Sequence, residues 1–166
     1  MMDVVTLTEL FNYHIWANNQ VWSCVESLTD EQFAQADSYS IGSVLKQQFH
    51  LMQTDWSSAH FMLHGSWPSG EGLKEEDFQD RSALRARWDE VEADLRAGLA
   101  GLSEAQLGTT MDLPAGDGKT FTISFWEFCY TLVNHGTNHR AQCLALISKL
   151  GGKTAEQGAY FYYMQR

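Results

Sequence analysis

Two histidines late in the sequence, His135 and His139 in VNHGTNHRAQ, stand four residues apart. On an α-helix that spacing puts both imidazoles on one face, a single turn from each other, where two ring nitrogens can reach one ion. Phe128, Thr131, Leu132, Gln142 and Leu146 share their stripe, so the pair points into an interior and not to solvent. The spacing alone leaves two readings. Either the pair binds a metal, or one histidine serves a hydrogen-bond network while the other is partly buried core. His50 adds a third imidazole. It shares a helical stripe with Ser43, Gln47, Thr54, Ser57 and Phe61, while the other stripes carry Leu45, Phe49, Met52, Trp56 and Leu63. Polar groups that face the inside of a bundle need partners, and a solvated cavity with a metal at its base provides them. In that reading Gln47, Thr54, Ser57, Thr131 and Gln142 support the ligands from behind or touch a substrate.

Other residues compete for the same chemistry. His60 and His64 repeat the four-residue spacing but abut a loop and lack an obvious third partner, so they read as surface. His14, among the aromatic residues of the first helical segment, reads as a hydrogen-bonded core histidine. Cys143 follows His139 by one turn, yet its stripe is displaced by about 80° from that of His135, which favours packing over ligation. Glu127 lies off the stripe by the same angle, about 80°, and is the weak acid-base candidate. HExxH, ExxH, GxSxG and GxxxxGK[ST] patterns are absent, which removes zincin, ferritin-type di-iron, serine-hydrolase and P-loop chemistry.

The elements that must position these residues follow from periodicity. Four segments carry helical patterning: Thr6 to Leu28, Ile41 to His64, Asp77 or Phe78 to Leu102, and Ser124 to Leu150. Gly65 with Pro68 beyond it stops the second, and Gly151-Gly152 stops the fourth. Thr29-Asp30-Glu31 offers a cap for a short extra turn. Two β-prone runs, Thr109–Leu113 and Thr120–Ile123, flank the turn-rich PAGDGK and predict a short β-hairpin between the third and fourth long helices. The aromatic run within Gln157–Gln165 reads as a short helix or extended tail packed on the bundle. Four long amphipathic helices and little else predict an all-α, antiparallel four-helix bundle, one domain over residues 1–166.

Composition narrows the partners. Twenty-one acidic against 11 basic residues give a net charge of −10, a sign that repels phosphate backbones and anionic lipid heads. Neither nucleic acid nor membrane is expected, and no window approaches the roughly 18 apolar residues of a membrane span. The first residues lack the basic and apolar regions of a signal peptide. Three widely spaced cysteines without a CxxC suit free thiols in a reducing compartment, so the cytoplasm is the expected location.

Tyr13-His14-Ile15-Trp16-Ala17-Asn18, the lone mid-helix His50 before Asp55-Trp56, and His135-Gly136-Thr137-Asn138-His139-Arg140-Ala141-Gln142 are together similar to motifs of the DinB family of small bacterial metalloproteins. The resemblance runs over nearly the whole chain, through Gly151-Gly152 to Tyr160. Ala141 stands where the family usually has Gly, and the prolines common after the terminal glycines are missing. The resemblance implies a bundle in up-down-down-up order, frequently a homodimer, with one divalent metal ion on His50, His135 and His139. Neutral imidazoles suit zinc, nickel, copper and iron alike, so the ligand set does not choose the metal, and zinc or nickel is the expectation. It further implies a metal-dependent transferase acting with a small thiol (bacillithiol, mycothiol or glutathione) on an electrophile, in detoxification or stress response. Metal-dependent hydrolysis and a non-catalytic metal-binding or interaction role stand as the alternatives.

Overall fold

The computed structural model describes residues 2–70, 72–114, 118–155 and 160–166. They are mostly helical, with one small antiparallel sheet. Four long helices dominate: α1 (Val4–Val25), α3 (Val44–His64), α4 (Arg81–Ala100) and α6 (Phe125–Lys149). Short helices α2 (Asp30–Ala34), α5 (Glu104–Leu107) and α7 (Tyr160–Tyr163) fill in around them, and a 3-10 turn spans Glu75–Phe78. The predicted hairpin is present. Strands β1 (Thr110–Pro114) and β2 (Thr120–Ser124) pair with Thr110 opposite Ser124 and Leu113 opposite Phe121. Part of its turn, residues 115–117, lies outside the described residues.

Side chains at the helix starts explain most of the boundaries. Asp3 caps α1 by accepting from the Thr6 amide at 2.7 Å, and Thr29 with Gln32 forms a capping box on α2, the extra turn read from sequence. The second long helix begins at Val44, not at Ile41. Ser40 and Gly42 both have positive φ (55° and 116°), which no helix accommodates, and Ser43 is the cap, accepting from the Lys46 amide. The third begins at Arg81, after the separate 3-10 turn, because Asp80 caps it through the Ser82 amide. Gly65, at φ 69°, ends α3 in the left-handed conformation expected of a helix-stopping glycine.

The hydrophobic core forms two clusters along the helices. α3 packs on α4 and on α6, and α1 packs on α6. Trp22, Leu51, Met52, Trp88 and Ile147 fill one end, while Leu7, Phe11, Leu95, Cys129 and Leu132 fill the other. At the C-terminus, α7 docks its Tyr163 against Tyr13 and Trp16 of α1, with the Tyr163 hydroxyl donating to Glu9 at 2.9 Å. That is the packed short helix expected of the tail, although residues 157–159 of the predicted span lie outside the described residues. No helix among the described residues is long and apolar enough to cross a membrane.

The contact between α3 and α4 is tight at Gly98, where an added Cβ would fall 2.7 Å from the Met62 Cβ. Helix propensity alone favours Gly98→Ala by about 1 kcal/mol. The overpacking should win, so that the substitution lowers stability by about 1–3 kcal/mol in urea denaturation. A stabilised variant would show that α3 and α4 are not in this register.

Candidate metal centre

α6 delivers two of the three histidines, and its orientation comes from the residues between and beside them. Ser124 and Glu127 form a capping box at its start, with the Glu127 carboxylate accepting from both the Ser124 amide (2.8 Å) and hydroxyl (2.6 Å). That carboxylate is committed to the helix end, two turns before His135. Gly136 faces α1 so closely that a Cβ there would sit 2.4 Å from His14 Cε1. Arg140 follows His139 and is fully buried.

Arg140 belongs to a polar cluster at the meeting point of all four long helices. Its guanidinium donates to His14 Nδ1 at 3.1 Å and to Asn18 Oδ1 at 2.9 Å, and lies 5.7 Å over the Tyr13 ring. A guanidinium only donates, so His14 Nδ1 accepts and its proton is on Nε2. From there it donates to Asp55 Oδ1 at 2.9 Å. The other Asp55 oxygen accepts from Asn18 Nδ2 and from Trp88 Nε1, each at 3.2 Å. Burial pulls the Arg140 pKa below its ordinary value, opposed by Tyr13 and the Asp55 carboxylate. His14 is thus the hydrogen-bonded core histidine expected. Sequence reading did not find Asp55, Asn18, Trp88 and Arg140 as a unit. The available signal was a full charge on each of two otherwise interior helix faces.

One step away, at the edge of this cluster, the three predicted histidines come together. His50 Nε2 lies 3.1 Å from His135 Nε2, and the three ring centroids are 4.4–5.0 Å apart. One nitrogen from each lies within 4.8 Å of the other two. Tetrahedral coordination at Zn–N distances of about 2.0–2.1 Å separates ligand nitrogens by roughly 3.3 Å, so the closest pair already has the spacing an ion needs. Gln47 Oε1 accepts from His139 Nδ1 at 2.9 Å, which leaves His139 Nε2 as the free ligand atom. Burial holds all three imidazoles below their usual pKa. His135, also facing His139 and His50, is lowered to about 4. Neutral rings are the form that binds a metal. Among the described residues no Cys, Asp or Glu joins the three.

The remaining candidates are placed as follows. Thr54 and Ser57 are half-buried on α3 beyond His50, and Thr131 is exposed one turn before His135. Gln142 accepts from the Ser40 hydroxyl at 2.7 Å. Of these candidates Gln47 alone, among the described residues, hydrogen-bonds an imidazole of the site, while Thr54 donates to the backbone carbonyl of His50. The His60 and His64 rings lie 4.5 Å apart, tilted by 53°, with no third ligand beside them among the described residues. Cys143 is buried, receives Gln48 Nε2 at 2.9 Å, and has its thiol pushed up to about 12 by burial. It packs, as expected.

A model of the DinB family matches residues 1–165. Among solved structures, a DinB-like protein from Bacillus cereus superposes with a TM-score of 0.70 at 18% identity, covering 93% of this chain and 97% of its own. A DinB-like protein from Bacillus subtilis gives 0.64 at 13% identity, covering 91% and 96%. At those identities the likeness speaks for the fold. No curated protein matches the chain.

Two outcomes are expected from this geometry. Asp55→Ala strands the buried Arg140 charge and should cost about 3–5 kcal/mol, whereas Trp88→Phe removes one donor and should cost about 1–3 kcal/mol. Chemical denaturation of both variants measures this, and a neutral Asp55→Ala would mean that the cluster is solvated. The second concerns pH. In metal-free protein the folded chain resists protonation at His50, His135 and His139, while the unfolded chain protonates them near the ordinary 6.5. The unfolded state then binds more protons, so stability drops as pH falls from about 6.5 to about 4. Melting temperatures across that window should fall less steeply for His135→Gln, and parallel profiles would contradict the burial of this ring.

Proposed function

The chain belongs to the DinB family, and from that premise we propose that it binds one divalent metal ion, zinc or nickel, through His50, His135 and His139 and uses it to transfer a small thiol onto an electrophile. The observation that carries the reading is the convergence of three neutral imidazoles from two helices on one point, with no further protein ligand beside them among the described residues. A structural site would close its shell with protein donors, whereas a catalytic one keeps a position for a reactant. Bound there, the ion supplies the positive charge that makes a thiol acidic enough to act as a nucleophile near pH 7.

The chain's own residues divide the remaining work. Gln47 fixes the His139 tautomer, and burial keeps the rings unprotonated. His50 and His135 are only half-buried, which gives a reactant access. None of the protein's cysteines suits the nucleophile's role. All three are buried, and burial raises each thiol, Cys129 and Cys143 to about 12. An attacking thiol therefore comes from a small molecule. Hydrolysis finds less support, since Glu127 is held at the helix cap.

The up-down-down-up order belongs to the same proposal. His14 lies against Gly136 and Leu28 against Gly152, so α1 and α6 rise together. Asp55 lies against Trp88 and Met62 against Gly98, so α3 and α4 do likewise.

Elemental mass spectrometry of purified protein should find about one zinc or nickel per chain in wild type and little in His50→Ala, His135→Ala or His139→Ala. Reconstituted protein should consume bacillithiol, mycothiol or glutathione with a model electrophile faster than the chelated control. No metal uptake would end the proposal, and uptake without turnover by any of the three thiols would end its transferase half. Chelation should lower the melting temperature only modestly, because the Asp55 cluster already joins the helices. Complete unfolding would make the metal structural.

A further inference from the structure

The accessible strip between α3 and α6 continues beyond the histidines. Ring contacts join His50 to His135 and His139 at one end, and Phe61 to Phe125 and Phe128 at the other. The two helices therefore run in opposite directions. Thr54, Ser57 and Phe61 follow His50 by four, seven and eleven residues, and Thr131 and Phe128 precede His135 by four and seven. All keep to the stripes of the two histidines. Eleven helical residues rise about 16 Å, the length of the strip.

The two ends of the strip differ. Beyond His139, Ser40 in its left-handed conformation donates to Gln142, and Gln47 lies against the His139 ring. A molecule that reaches the histidines extends the other way, towards Phe61.

The chemistry changes along that path. The hydroxyl protons of Thr54, Ser57 and Thr131 are committed to the carbonyls of His50, Thr54 and Glu127 at 2.9, 3.0 and 2.9 Å. These hydroxyls offer only lone pairs outward, so the middle of a ligand needs N–H or O–H donors. At the far end Trp67, just past Gly65, lies 4.8 Å from Phe61 and 5.4 Å from Phe128 and is 38% exposed. An exposed indole backed by two phenyl rings presents a face for an apolar ring.

Resting on the metal-site reading above, we propose that the substrate held at the histidines is an elongated molecule with a metal-seeking head, an amide- or hydroxyl-bearing middle and an aromatic end that stacks on Trp67.

Cobalt-loaded protein tests this through the thiolate-to-cobalt absorption band, titrated with mercaptoacetamide, with N-(phenylbutyl)mercaptoacetamide and with the N-methyl form of the latter. The phenylbutyl probe should bind about tenfold tighter than mercaptoacetamide, and N-methylation should remove a several-fold part of that gain. Trp67→Ala should bring the phenyl advantage to within about twofold and leave mercaptoacetamide binding unchanged. Equal affinities in wild type, or an advantage that survives Trp67→Ala, would overturn the aromatic subsite; an advantage untouched by N-methylation would overturn the donor-bearing middle. The two failures are separable. A band that shows no phenyl preference sinks this inference alone, whereas no band with any thiol sinks the metal–thiol reading beneath it.

Discussion

The carboxylate of Asp55 is only 4% exposed, and a charge taken that far out of water is tolerable only where donors surround it. Here they come from α1 (His14, Asn18) and from α4 (Trp88), while Arg140 of α6 holds the first two in place. Each donor is directional, so the cluster constrains how every long helix is rotated as well as where it lies. Rotation is what the histidine site requires. Neighbouring residues on a helix point about 100° apart. Once Arg140 turns inward to His14, His139 is aimed at α3, and His135 one turn earlier is aimed with it. Gly136 completes the constraint, because only a residue without a Cβ lets the His14 ring come this close to α6.

The two polar centres obey different rules because they differ in access to water. In the Asp55 cluster, orientation is fixed by directional donors in the buried middle of the bundle. At the histidines, the His50 and His135 rings are half-buried, and among the described residues His139 alone of the three has a buried side-chain partner, Gln47. A site meant to exchange ligands cannot have every lone pair satisfied by protein. Rigidity next door lets it remain undersatisfied, since α3 and α6 are held in place without it.

Much of this was legible in the sequence where the physics is local. The four long helices, the hairpin, the α2 cap and the three histidines all follow from periodicity and spacing. The misplaced starts of α3 and α4 also had local causes, in the Ser43 and Asp80 caps that set where each helix begins. Glu127 is instructive. Its three-residue spacing from Ser124 is the capping-box signature, and that role, not acid-base chemistry, is the one its carboxylate fills. The Asp55 cluster was not legible, because its members lie 37 to 126 residues apart in most of their pairings and no single helix shows why a charge should be buried. Trp67 was hidden for the same reason. A loop residue's position depends on the helix end before it, and that is a tertiary fact.

Charge decides what the histidine site prefers to hold. Three neutral imidazoles leave a divalent ion's two positive charges uncompensated by its ligands. Asp55 is the carboxylate whose charge reaches His135, and its oxygens are already occupied by three donors. The protein's net charge of −10 is spread over its surface, where solvent screens it at distances beyond roughly 10 Å. Compensation must then come from whatever occupies the open side, so an anionic donor is favoured over a neutral one of the same size. A thiolate meets that requirement and a neutral carbonyl does not. In the proposed reaction the acidic surface would then not need to attract the reactant, because selection would act at short range, between α3 and α6.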